Sequence, residues 1–255
     1  MKHKCEIRIG TSGWHYKHWI GRFYPDHISG SEMLSYYLQH FDTVEVNNSF
    51  YKLPDFSTFL SWQAATPANF RFAVKASRFI THNKKLKDPE HALNNLLPRA
   101  EALGAKLGPV LFQLPPRWTL NLARLEEFLT ALPAYHRYAF EFREQSWNTP
   151  EVFELLRSHN AAYCIHELGG YRSPVEVTAD WSYIRLHGPG ARYQGSYSHR
   201  VLSQWAARIA TWSKSLKAVH VYFDNDDSAY AALNALDLKR MLRDHLAKPN
   251  IRTAA

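Results

Sequence analysis

The sequence predicts a single (β/α)8 TIM barrel domain across residues 1–255, and three observations support this prediction. Eight short apolar runs carry polar residues at every second position, as a strand does when its two faces differ in burial. Segments with helical periodicity follow most of these runs, and such alternation is typical of a parallel sheet. A length of 255 residues fits one barrel better than two smaller domains.

The predicted strands, in chain order, are 6–12, 43–49, 71–77, 109–115, 138–143, 162–167, 182–188 and 218–225. The predicted helices are 31–41, 56–65, 90–107, 122–131, 150–159, 203–216 and 230–246. Asn148-Thr149-Pro150 is typical of a helix start, since proline is favoured in the first helical turn. Residues 169–180 contain glycine and proline but no helical period, so we expect the sixth helix to be short or missing.

Composition restricts the class of protein. Hydrophobic residues make up 45% of the chain, but no run approaches the ~18 apolar residues of a membrane span, so we expect no membrane association. No apolar leader precedes the first strand, and Cys5 and Cys164 lie in predicted core strands, which favours a cytoplasmic protein with reduced thiols. A net charge of +8 favours a small anionic ligand, while nucleic acid remains an alternative without a specific motif.

Three long loops follow the first, third and seventh strands, at the end of a barrel where enzymes of this fold place their active sites. The loop GPGARYQG after the seventh strand is a candidate phosphate site through its backbone amides and Arg192. Trp14, Tyr16, Trp19 and Trp147 could stack on a base or a sugar, but we favour packing roles for them.

The positions expected to face the lumen are unusually polar. An unpaired charge buried in a barrel costs several kcal/mol, so these charges must compensate one another. The charged members are three acids and four bases, namely Glu45, Glu141, Asp224, Arg8, Lys75, Arg143 and Arg185. Arg8 and His220 lie early in their strands, and we interpret them as structural.

Residues near the carboxyl ends of the strands are the site candidates, because that end is the functional face of barrel enzymes. The candidate catalytic residues are Glu45, Lys75, Glu141 and His187. The candidate substrate-binding residues are Asn47, His82, Gln113, Arg143, Arg185, Arg192, Tyr193 and Asn225. The cations of this set are Lys75, Arg143 and Arg185, and they outnumber the carboxylates of Glu45 and Glu141. This local excess of positive charge predicts a bound sulfate or phosphate.

This residue set supports three hypotheses. The leading one is an enzyme of hydrolase or proton-transfer type that acts on a small phosphorylated or carboxylated substrate, with Glu45 and Glu141 as acid and base. The first alternative is a metal-dependent phosphodiesterase or nuclease; its possible ligands are Glu45, Glu141, His166, His187 and Asp224. No HxH or HExxH spacing supports it, so we assign no metal or other cofactor. The second alternative is a barrel that binds a ligand or nucleic acid without turnover.

Seven segments, taken in order, resemble the YecE-like family, also called domain of unknown function 72. They are IRIGTSGWHYKHWIGRFYP, FDTVEVNNSFYKLP, FRFAVKASRFITH, LGPVLFQLPPRW, YAFEFREQSW, YIRLHGPGARYQGSY and VYFDNDD. The resemblance covers nearly the whole chain and implies a (β/α)8 barrel. It implies no activity, but the matching segments contain the site candidates that were chosen from strand position, among them Glu45, Lys75, Glu141 and Arg185.

Overall fold

A computed structural model describes residues 4–247 of the chain. Its strands are β1 (Glu6–Thr11), β2 (Thr43–Val46), β3 (Arg71–Lys75), β4 (Leu107–Leu114), β5 (Tyr138–Phe142), β6 (Ala162–Leu168), β7 (Tyr171–Arg172), β8 (Trp181–Leu186) and β9 (Ala218–Phe223). Its α-helices are α1 (Met33–Tyr37), α2 (Phe56–Ala64), α3 (Pro89–Ala100), α4 (Leu122–Thr130), α5 (Pro150–Ser158), α6 (His199–Trp212) and α7 (Tyr230–Ala247).

The strands form a nearly closed parallel barrel in the order β1-β9-β8-β6-β5-β4-β3-β2. The two ends of this order approach each other through a bridge between Ser12 and Glu45 and through the Gly13 N–H, which donates to the Glu45 carbonyl at 2.8 Å. Gly10 permits that approach, because a Cβ atom there would lie 2.5 Å from the Thr43 carbonyl oxygen. The predicted (β/α)8 fold is therefore confirmed.

The helix that would follow the sixth barrel strand, β6, is missing, as the glycine and proline content of residues 169–180 predicted. The chain instead forms β7, which pairs antiparallel with the end of β6. Thr149 begins α5 as its N-cap, with Pro150 in the first turn, again as predicted. None of the described helices is both long enough and apolar enough to cross a bilayer.

Two predicted helices are shorter in the structure. The first spans only Met33–Tyr37, and residues 29–32 before it form a turn in which the Glu32 carboxylate accepts from the Ser29 N–H at 2.9 Å. The third ends at Ala100 and continues as a 3-10 helix to Lys106. Gly104 interrupts the helical backbone there with φ +56°, and β4 begins two residues earlier than predicted.

The amino-terminal half of the lumen is filled mainly by large aromatic side chains. Trp181, Tyr183 and Tyr222 fill it against small residues on the facing strands, including Ala73 and Ala139. Small and large side chains alternate in this way when a barrel interior is packed without a channel. Arg8 and the buried His220, whose ring stacks on Tyr183, also lie in this half, while the other charged side chains of the lumen lie toward the carboxyl ends of the strands.

Candidate active site

Arg185 lies on the barrel axis directly above the aromatic layer, and it is completely buried. Its guanidinium lies 2.7 Å from Glu45 Oε1, 2.8 Å from Glu141 Oε2 and 3.1 Å from Asp224 Oδ2. We call these four residues the buried ion cluster. Every guanidinium nitrogen of Arg185 contacts a carboxylate, so little hydrogen-bonding capacity remains for a ligand.

Glu45 joins the ion cluster to the aromatic layer below it. Its Oε1 atom accepts from Ser12 Oγ at 2.5 Å, and its Oε2 atom accepts from the Tyr183 hydroxyl at 2.6 Å. The side chain has no exposed surface. A carboxylate with both oxygens committed inside the barrel fits a structural role better than the catalytic role that the sequence predicted.

Glu141 and Asp224 are held as anions by their surroundings. Burial by itself raises the pKa of Glu141, but the guanidinium groups of Arg143 and Arg185 more than offset it and hold the pKa well below its usual range. Burial likewise opposes ionisation of Asp224, while hydrogen bonding to His187 and the charge of Arg185 lower its pKa overall.

These lowered pKa values predict an acid-dependent loss of stability. A carboxyl group whose pKa is lower in the folded than in the unfolded state stabilises the fold at pH values above its unfolded-state pKa, which is near 4.5 for Glu141. This contribution is lost as the pH falls through the folded-state pKa. Urea midpoints at pH 7, 5, 4 and 3 should therefore fall less steeply for Glu141→Gln than for the unchanged chain. Glu126→Gln, at an exposed position on α4, is the matched control and should keep the original slope.

His187 is a buried neighbour of the ion cluster. Its Nδ1 atom lies 2.9 Å from Asp224 Oδ2, and its Nε2 atom lies 3.3 Å from Arg143 and 3.4 Å from Arg185. Guanidinium nitrogens only donate, so Nε2 accepts and the proton resides on Nδ1, from which it is donated to Asp224. The imidazole orients these groups and has no exposed surface, which favours a positioning role over direct catalysis.

Lys75 is the last residue of β3 and lies above the buried ion cluster, with 6% of its surface exposed. Its Nζ atom is 4.1 Å from the centroid of the Phe50 ring. Within residues 4–247, Nζ has no hydrogen bond and no ion pair. Burial and then the charge of Arg185 lower the pKa of Lys75 to about 8, and the carboxylates of the ion cluster only partly oppose this.

Arg143 also faces the outer side of the cluster. Its Nε atom donates to Glu141 Oε1, and one terminal nitrogen approaches His187. In the part of the chain that the structure describes, its other terminal nitrogen, Nη1, makes no hydrogen bond. Because the side chain is 9% exposed, Arg143 retains N–H groups that an anion at the barrel mouth can use.

Three uncharged groups lie around these two cations. His82 has its pKa lowered to about 4 by burial and by the charges of Arg78, Lys75 and Arg143, so its ring is neutral at pH 7. Gln113 is nearly buried and donates to the Leu114 carbonyl at 3.0 Å. The side-chain oxygen of Asn47 is buried without a hydrogen-bond partner among the described residues. We call Lys75, Arg143, His82, Gln113 and Asn47 the outer layer.

A cavity of about 520 Å³ adjoins the outer layer at Asn47. Its remaining lining residues are Gly13, Trp14, His15, Tyr16, Leu34, Asn48 and Trp62. Trp14 and Tyr16 are therefore partly available to a ligand. Trp19 and Trp147 are fully buried, as their packing interpretation requires.

Two of the predicted substrate-binding residues, Arg192 and Asn225, lie outside this arrangement, and a third, Tyr193, lies at its edge. Arg192 lies against Gly169 at the β6–β7 turn. Asn225 donates to the Gly195 carbonyl at 2.7 Å and to Asn234 at 3.0 Å, and it thereby holds the loop after β8. Tyr193 is 42% exposed, and its ring lies 5.5 Å from the His187 ring. Asn225 thus has structural partners, whereas the exposed guanidinium of Arg192 makes no hydrogen bond or ion pair within residues 4–247.

The charge count at the mouth also differs from the sequence expectation. Arg8 lies at the opposite end of the barrel, where it pairs with Glu6 at 2.9 Å and with Asp42 at 2.8 Å. Asp224 belongs to the cluster, so Lys75, Arg143 and Arg185 face three carboxylates and the predicted excess disappears. The charges are nevertheless separated, because the carboxylates surround Arg185 while Lys75 and Arg143 face outward. The buried ion cluster and these two cations are together neutral, and the two cations lie on the outer side.

The same geometry bears on the metal-dependent hypothesis. Among residues 4–247, no group of three or more His, Cys, Asp and Glu side chains is arranged to hold a metal ion. The guanidinium of Arg185 lies between the carboxylates that would serve as ligands. Cys164 is not activated as a nucleophile, because burial and the charge of Glu141 raise the pKa of its thiol well above the usual value.

Comparisons with known proteins agree with the fold. A family model described as "Protein of unknown function DUF72" matches residues 8–254. The UPF0759 protein YunF of Bacillus subtilis is 26% identical, over 92% of this chain and 94% of its own length. The UPF0759 protein YecE of Escherichia coli is 30% identical, but over only 54% of this chain and 48% of its own length.

Two solved structures have the same architecture. A DUF72 family protein from Thermotoga maritima superposes with a TM-score of 0.85 and 30% identity, over 93% of this chain and 99% of that one. A DUF72 family protein from Enterococcus faecalis superposes with a TM-score of 0.77 and 22% identity, over 93% and 95%. The second similarity shows the fold alone.

Proposed function

Because the chain belongs to the DUF72 family, for which no activity is named, we propose a function from the site itself: an enzyme that acts on a small phosphorylated or carboxylated substrate by acid–base chemistry. The chemistry takes place in the outer layer at the carboxyl end of the barrel. The observation that supports this proposal is that, among residues 4–247, neither Nζ of Lys75 nor Nη1 of Arg143 makes a hydrogen bond or an ion pair.

In this proposal Lys75 is the acid or base. An efficient proton-transfer group has a pKa near the working pH, and burial brings the pKa of Lys75 to about 8. Its protonated and neutral forms are then both populated near neutral pH. Glu45, Glu141 and His187 do not take part in the proton transfer. They are buried, the two glutamates are bonded to Arg185, and His187 is bonded to Asp224.

Arg143 binds the anionic group of the substrate. A guanidinium offers planar paired donors that match phosphate and carboxylate, and Nη1 of Arg143 faces no competing acceptor among the described residues. Arg185 does not take part in this contact, because its nitrogens are bonded within the cluster. We also place the enzyme in the cytoplasm, which is consistent with the free thiols of Cys5 and Cys164.

Calorimetric titration with phosphate and simple phosphomonoesters at low ionic strength tests the anion contact. Arg143→Ala should weaken binding by about tenfold or more, because a hydrogen bond to a charged group is worth ~1.5–3 kcal/mol. Arg137→Ala is the matched control, since Arg137 is a partly exposed arginine that pairs with Glu6 at the opposite end of the barrel. Absence of binding, or equal weakening by both substitutions, would contradict the proposal.

A further inference from the structure

Lys75 is placed as a nucleophile as well as a base. It is the last residue of β3, and the Ser49 hydroxyl fixes its backbone by donating to the Lys75 carbonyl at 2.6 Å. The aliphatic part of the side chain is buried, and Nζ ends over the face of Phe50 in the outer layer. A lysine amine held in this way reaches the barrel mouth with little conformational freedom left to lose.

In the part of the chain that the structure describes, the charge of Arg185 acts on Nζ and no carboxylate is bound to it. The three acidic groups of the ion cluster are committed to Arg185, and His82 is neutral beside Lys75. Removal from water and a neighbouring cation both favour the uncharged amine, and these are the two environments that activate lysines for covalent catalysis. The lowered pKa of about 8 agrees with this geometry.

Asn47 of the outer layer follows β2 and is the neighbour of Lys75 on that side. Val46 of β2 pairs in register with Val74 of β3. Asn47 and Lys75 are the residues that follow this pair, so they lie at the same height beside each other. Asn47 also lines the 520 Å³ cavity, which is large enough for a small metabolite. Neither Lys75 nor Arg143 lines this cavity, so a carbonyl compound would have to extend past Asn47 to reach Nζ.

We propose that Lys75 forms a Schiff base with the carbonyl carbon of a substrate that also carries a carboxylate or a phosphate. This inference rests on the proposed function, because Arg143 would hold the anionic group while Lys75 reacts. It narrows the substrate class to aldehydes and ketones such as 2-oxo acids and sugar phosphates.

The reaction needs no additional oxidant or reductant. The lone pair of the neutral amine forms a C–N bond to the carbonyl carbon, and the C=O π electrons move to oxygen. The two protons of the amine leave with that oxygen as water, which gives the C=N bond of the imine. Protonation of the imine then makes it an electron sink, so a bond to the neighbouring carbon can be broken and the electron pair accepted.

Reductive trapping tests this step. The purified chain is incubated separately with pyruvate, glyoxylate and glycolaldehyde phosphate, and sodium borohydride is then added. We expect the intact mass to rise by that of the carbonyl compound less one oxygen atom, and peptide mapping to place the adduct on Lys75. Lys75→Arg, which keeps the charge but cannot form the imine, should give no adduct, and its circular dichroism shows whether it is folded.

Lys106 serves as the internal control, since it is as buried as Lys75 but donates to backbone carbonyls, among them Thr66 at 2.5 Å. Adducts spread over exposed lysines, or no adduct with any of the three compounds, would overturn the Schiff base. Calorimetry separates this result from failure of the proposed function. Binding of the same compounds that depends on Arg143, without an adduct, leaves Lys75 as an acid–base group only.

Discussion

Replacing Arg185 with methionine is expected to destabilise the chain by about 3–5 kcal/mol, the usual cost of leaving a buried charge without its partner. Here the substitution leaves Glu45, Glu141 and Asp224 together inside the barrel, where all three are bonded to one guanidinium. The loss should appear as a lower urea midpoint at pH 7.

Arg137→Met is the matched comparison. Arg137 is also an arginine paired with a glutamate, at 3.4 Å from Glu6, but its side chain is 36% exposed. Partly exposed pairs contribute about 0–1 kcal/mol, so this substitution should have a small effect. If Arg185→Met does not fold, Arg185→Lys keeps the charge with fewer donors and should have an intermediate midpoint. Equal, small losses for both methionine variants would contradict the ion cluster described above.

The second large effect is expected in the reactivity of Lys75. A pKa of about 8 leaves roughly a tenth of the amine neutral at pH 7, which is on the order of 10² times the neutral fraction of an ordinary lysine. Competitive acetylation followed by peptide mapping should therefore give a Lys75 modification rate that rises between pH 7 and 9 and then levels off. Ordinary lysines continue to gain reactivity beyond pH 10.

Burial also slows access of the reagent, so the position of the midpoint is the decisive quantity. Lys106 is buried to a similar extent but is held by backbone acceptors, and it should remain unmodified over this range. A Lys75 midpoint near 10 would show that the Phe50 ring and the cluster carboxylates keep the amine charged. Lys75 would then bind anions without acting as a base.

The barrel and its layers follow from patterns that are visible in the sequence. The alternation along the strands indicates that Glu45, Glu141, Arg185 and Asp224 share the lumen, and the structure brings these side chains together. Parallel strands in register place residues of like parity at similar heights, so position along a strand translates directly into depth. The missing sixth helix follows equally from local composition.

The different roles of the site residues cannot be predicted from those patterns. Arg143 and Arg185 both lie late in their strands, and only distances across the lumen show that Arg185 is saturated while Arg143 keeps free donors. Phe50 belongs to a short 3-10 turn after β2, whose three residues have no periodicity that would place a ring over Lys75. Arg192 lies against Gly169 of the β6–β7 turn, a contact between loops that periodicity does not predict.

The central claim is that the outer layer at the carboxyl end of the barrel binds an anion. A crystal structure of the chain with saturating phosphate tests this claim most directly. We predict phosphate density within hydrogen-bonding distance of the side-chain nitrogens of Arg143 and Lys75. An empty barrel mouth, with phosphate instead beside Arg71 and Arg137 at the opposite end, would contradict it.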